Sequence, residues 1–179
     1  MQPEDERQLI HRAVAGDHAA ISTLYDRHVN AVYHYILYRT GDTHAAEDIT
    51  AEVFLRALES LSRYDERGAP FVVWLYRIAR ARVVDHWRKL HRGVMLPLDE
   101  LPERETIEND SPLDADILQY RALQDALRQI TGEQQEVIML KFLQGLSNEE
   151  IAQVLGKTVG AVKALQRRGL DALARLLKE

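Results

Sequence analysis

The sequence predicts an all-α protein of two small helical domains joined by an acidic flexible linker, and three observations carry that reading. Apolar residues recur at helical spacing, with only nine glycines and five prolines in 179 residues to interrupt them, and the β-branched alternation that makes strands is absent. Charge comes in blocks. The net charge is −5, yet residues 77–92 hold six bases against one acid, residues 93–116 eight acids against one base, and residues 156–179 six bases against two acids. Lastly, a serine three residues before a glutamate, with a glycine soon after, marks the start and stop of a helix near the C-terminus. A chain of this length gives each half only a modest core, so two compact modules fit.

Helical periodicity fills Glu4 to Leu61. Within it, Ala45 to Leu58 reads as an amphipathic helix whose apolar stripe, Ile49, Val53, Leu55 and Leu58, turns inward. Asp48 and Glu52, four apart and joined by Glu47, make the other face acidic and suited to a basic partner, or simply solvated. The run Asp65-Glu66-Arg67-Gly68-Ala69-Pro70 is a turn signal, with Pro70 suited to a first helical position. A helix follows from about Phe71 to Leu90, in which Trp74, Tyr76 and Trp87 sit among Arg77, Arg80, Arg82, Arg88 and Lys89. Aromatic rings stack on unpaired bases while guanidinium groups hold the phosphates running past, so this mixture suits single-stranded nucleic acid. Trp74, beside Leu75 and Ile78, reads as core. Gly93, Pro97, Pro102 and Pro112 then punctuate the acidic segment, and residues 93–115 read as the linker between domains 1–92 and 116–179.

Helical pattern resumes at Ile117, and breaks at Thr131-Gly132, Gly145-Leu146 and Gly156-Lys157 divide the rest into four helices. Ser147 to Glu150 has capping-box spacing, and Ile151, Ala152, Val154 and Leu155 give the helix that follows its apolar side. Gly156 supplies the left-handed turn, and Thr158 caps the next helix. Ala152, Gly156 and Val162 stand at helix-turn-helix spacing. On the second helix, 100° per residue turns Ala161, Val162, Leu165 and Gly169 inward and Gly160, Lys163, Ala164 and Arg167 outward, with Gln166 and Arg168 on the shoulders. Small residues let such a helix approach a groove, and its bases reach base edges or phosphates. Solvated surface charge is the plainer alternative.

Other classes are disfavoured. The seven histidines form no pair enclosing a glutamate, and there is neither a phosphate-binding glycine loop nor a serine nucleophile elbow, so no enzyme, metal or cofactor is expected. With no cysteine, no basic apolar leader and no apolar run long enough to span a bilayer, the expected location is the cytoplasm, without membrane insertion.

Three ordered motifs together resemble the extracytoplasmic-function sigma factors: Glu47-Asp48-Ile49-Thr50-Ala51-Glu52-Val53-Phe54, then Trp74-Leu75-Tyr76-Arg77-Ile78-Ala79-Arg80 continuing to Asp85-His86-Trp87-Arg88, then the Ser147 to Leu170 helix pair. The resemblance implies a first domain of regions 2.1 to 2.4 and a second of regions 4.1 and 4.2. It implies that Asp48, Glu52 and Phe54 bind core RNA polymerase, and that Arg63, Arg77, Arg80, Arg88 and Lys89 serve the minus-ten promoter element. Thr158, Gly160, Lys163, Gln166, Arg167 and Arg168 would read the minus-thirty-five element. It further implies an anti-sigma protein as inhibitor, and a linker threading the polymerase channel. Two positions depart from the family pattern, Ala51 for a usual glutamine and Ala81 for a usual asparagine. The rival reading is a regulator that binds its duplex without polymerase, which leaves the aromatic-basic helix no duty.

Overall fold

The computed structural model describes residues 5–65, 68–91 and 125–178, and the regular structure among them is helical throughout. The chain divides into two compact units, Met1–His86 and Trp87–Glu179. The linker read at 93–115, and most of the helix expected from Ile117, lie outside the described residues.

The first unit consists of α1 (Glu6–Val14), α2 (His18–Thr40), α3 (Thr43–Ser60), a 3₁₀ turn (Leu61–Arg63) and α4 (Phe71–Leu90), which runs past the division by one turn. The periodic stretch is cut twice by the same dipeptide, Gly-Asp. Gly16 and Gly41 take positive φ of 86° and 74°, closing one helix. The next residue opens another: Asp17 accepts from the amides of Ala19 and Ala20, and Asp42 from that of Ala45. Pro70 precedes α4 rather than starting it, its carbonyl accepting from the Trp74 amide at 3.1 Å. Val32, Tyr35, Ile36, Val53, Val73, Leu75, Tyr76 and Val83 form the core, with the rings of Tyr35 and Tyr76 edge to face at 5.2 Å.

One expectation for α3 is corrected. Leu55 and Leu58 are 57% and 46% exposed, whereas Ala46, Ile49, Thr50, Val53, Phe54 and Ala57 are buried. Leu55 lies two residues, about 200°, from Val53, so the 3.6-residue period carries it to the far side.

In the second unit, residues 125–128 are helical (α5), and α6 (Gly132–Ile138) opens on a Thr131–Gln134 capping box and widens into a π turn (Met139–Leu143). Helices α7 (Asn148–Leu155) and α8 (Val159–Leu176) complete it. Val137, Leu140, Ile151, Val162 and Leu165 fill the core. Gly169 allows α8 to lie close on α6, since a Cβ there would meet Ile138 Cδ1 at 2.7 Å and Gln134 Cβ at 3.3 Å. The ion pair Lys157–Glu133 ties the turn between α7 and α8 to the first turn of α6.

Candidate nucleic-acid interface

The α7–turn–α8 pair is built as its sequence requires. Ser147 Oγ accepts from the Glu150 amide at 3.1 Å, and Glu150 Oε2 accepts from the Ser147 amide at 2.7 Å. Gly156 takes φ 65°, and Thr158 Oγ1 accepts from the Ala161 amide at 3.2 Å. With both ends fixed, Val162, Leu165 and Gly169 are buried. Thr158, Gly160, Lys163, Ala164, Arg167 and Arg168 form an exposed outer row, with Gln166 half-buried beside it. The Arg167 side chain is 86% exposed, its nearest acid being Asp171 at 3.9 Å.

In the first unit, α3, the 3₁₀ turn and α4 enclose an open groove of about 660 Å³ lined by Arg56, Glu59, Ser60, Arg63, Trp74, Arg77, Ile78, Ala81 and Arg82. Of the minus-ten residues expected from sequence, Arg63 and Arg77 line this groove and Arg80, half-buried, does not; Arg88 and Lys89 are exposed on the last turn of α4. Tyr76 and Trp87 are buried. Trp74 is half-buried, its ring 5.0 Å from Tyr64 and 5.6 Å from Phe71, so it is a groove wall instead of the core residue its neighbours implied. The Tyr64 hydroxyl donates to the Ala69 carbonyl at 2.7 Å, which ties the Tyr64 ring to the residue before Pro70.

The acidic face of α3 is more engaged than its spacing implied. Asp48 is exposed. Glu52 Oε1 accepts from Arg56 Nε at 3.0 Å and from Arg82 Nη1 at 3.2 Å, and Arg82 also pairs with Asp85 at 2.7 Å. Burial alone raises the Glu52 pKa, but the two guanidinium hydrogen bonds and charges outweigh it and hold the carboxyl below its ordinary range. Phe54 is turned inward, edge to face with Tyr25 at 4.8 Å, and lines a second cleft of about 360 Å³ with Tyr25, Leu58 and Phe71. It is therefore not on the acidic surface with Asp48. Arg82 and Trp74 belong to the aromatic-basic helix read from sequence, but neither they nor Arg56 were expected as site residues, because the candidate groove joins positions 26 residues apart, from Arg56 to Arg82. Only the four-residue spacing of Glu52 and Arg56 was open to a reading of the sequence.

The described residues thus present two basic surfaces, an aromatic-walled groove in the first unit and the exposed row of a helix-turn-helix in the second. Residues 24–93 match the family Sigma-70 region 2, and residues 120–173 match Sigma-70, region 4. The ECF RNA polymerase sigma factor BldN of Streptomyces coelicolor is 42% identical over 96% of this chain, which spans 66% of that protein, just under two thirds. The ECF RNA polymerase sigma factor SigD of Mycobacterium tuberculosis is 33% identical over 97% of this chain and 84% of its own length. The solved structure of CnrH in complex with the cytosolic domain of CnrY superposes with a TM-score of 0.73 at 26% identity, covering 97% of each chain. The chain belongs to the ECF sigma factors of the sigma-70 family. Sigma factors are transcription initiation factors. Among the described residues no helix is long and apolar enough to cross a membrane.

Proposed function

We propose that this chain joins core RNA polymerase through the acidic face of α3, holds the unpaired minus-ten strand in the Trp74 groove, and reads the minus-thirty-five duplex with α8. The observation that carries the reading is the groove itself: one half-buried tryptophan face beside four arginines, Arg56, Arg63, Arg77 and Arg82. Stacking of a base on an aromatic ring is worth about 1–3 kcal/mol and needs the base unpaired, so such a groove favours a melted strand over a duplex. Asp48 and Glu52 supply the contact to polymerase, with the exposed Leu55 on the same helix. Thr158, Gly160, Lys163, Gln166, Arg167 and Arg168 make the duplex contacts, and Arg80, Arg88 and Lys89 add positive charge along α4. The domains run from 1 to 92 and from 116 to 179.

An anti-sigma protein restrains the chain in the cytoplasm, and the protein carries no catalysis of its own. The structural relative CnrH, solved in complex with the cytosolic domain of CnrY, supports the first part. The test is reconstitution. The purified chain should co-elute with core polymerase and give run-off transcripts that core alone does not. A dimer that binds its duplex tightly without core, and adds no transcript with it, would establish the rival regulator instead.

A further inference from the structure

Glu52 stands where the proposed polymerase face meets the Trp74 groove. Its Oε1 accepts from both Arg56 and Arg82, and both guanidinium groups line the groove. One carboxylate thereby occupies donors on two of the four groove arginines. Its side chain is 42% exposed and that of Arg56 49%, and ion pairs this open to water are weak and exchange readily for another charged partner. Arg82 differs, being 21% exposed with Nη2 on Asp85 at 2.7 Å. Loss of Glu52 therefore leaves Arg82 anchored at the groove with Nη1 available.

We propose that Glu52 acts as an internal stand-in for phosphate: in the chain without polymerase it occupies Arg56 and Arg82, and a basic polymerase side chain that takes this carboxylate hands both arginines to the single strand. This rests on the reading of α3 as the polymerase face and of the groove as the strand site. It goes further in making one residue serve both, so that binding at one face changes the charge available at the other. The coupling needs no backbone movement, only an exchange of hydrogen-bond partners around Glu52.

The experiment measures binding of a short single-stranded deoxyoligonucleotide to the full chain, without polymerase, across a salt series. Glu52→Gln is expected to tighten binding about threefold to tenfold at low salt and to steepen the log–log salt dependence by about 0.7, one more phosphate neutralised. Glu59→Gln removes an equal charge from the same groove, but Glu59 bonds neither arginine, so its gain is expected to be several times smaller. In an Arg56→Ala background the gain from Glu52→Gln should shrink. An unaltered affinity for a folded Glu52→Gln chain, an equal gain from Glu59→Gln, or an undiminished gain without Arg56 would each overturn the sequestration. At core concentrations that saturate both chains, the advantage of Glu52→Gln should disappear, and its full persistence would overturn the hand-over. Co-elution with core is scored separately: unweakened association of Glu52→Gln would remove Glu52 from the polymerase face, a failure of the underlying reading that leaves the oligonucleotide result standing.

Discussion

The two units present their cations in opposite electrostatic settings. On α8 the cations stand in water, Arg167 having only a 3.9 Å contact with Asp171, whereas between α3 and α4 the groove arginines Arg56 and Arg82 converge on one carboxylate. The difference teaches what each task requires. A duplex groove accepts a rigid helix, and the helix proposed to read it is held by caps and a turn glycine with its outer row open. A single strand must first be unpaired, and on the proposed reading a groove with two of its four arginines already paired competes less for stray nucleic acid before then.

The comparison breaks if the units do not behave separately, and the largest substitution tests that. Tyr76 is 1% exposed and packs edge to face on Tyr35. Tyr76→Ala should cost about 3–5 kcal/mol. Amide exchange should accelerate throughout α1 to α4 while α6 to α8 keep their protection; loss of protection in both would refute independent units. Gly169→Ala acts on the other side, placing a Cβ 2.7 Å from Ile138 Cδ1. It should cost about 1–3 kcal/mol by overpacking α8 on α6, lowering the thermal midpoint of the second unit alone.

Two substitutions on α8 sharpen the account of its exposed row. Arg167→Ala should cost about 1–3 kcal/mol at preferred minus-thirty-five sequences and relax preference at one base position. Arg168→Ala should lower transcription from all promoters alike and reduce the salt slope by about one. A promoter-library readout decides, and an unchanged promoter ranking for Arg167→Ala would contradict the assignment. The smallest expected effect is on pH. Glu6 accepts from His28 at 2.8 Å, and that hydrogen bond, working against burial, holds its carboxyl below the ordinary range. A carboxyl lowered on folding stabilises the fold above its ordinary value and ceases to as pH falls through the folded one. Glu52 has the same sign. Urea midpoints of the first unit should therefore drop as the pH falls from neutral through and below the ordinary carboxylate range, and Glu6→Gln should flatten that drop.

The second unit was readable in its sequence because its determinants are local. Ser147 caps three residues away, Gly156 turns the chain where it stands, and 100° per residue sorts Val162 and Leu165 from Lys163 and Arg167. The first unit was readable as helix but not as surface. Leu55 and Leu58 look like core by composition and are assigned to solvent only by register. Trp74 has apolar neighbours on its own helix, yet its environment is set by Tyr64 across a loop and by Arg56 on another helix. Glu52 was recognised as an acidic partner residue, but its bonds to Arg82 depend on a packing that no short window contains.

The most direct test of the whole account is thymine reactivity to permanganate in promoter complexes formed with core polymerase, measured for the wild-type chain and for Trp74→Ala. The account predicts reactive minus-ten thymines with the wild type, and their loss with Trp74→Ala while the minus-thirty-five region stays protected. Equal reactivity with a folded Trp74→Ala chain would contradict it, because the groove would then have no part in holding the melted strand.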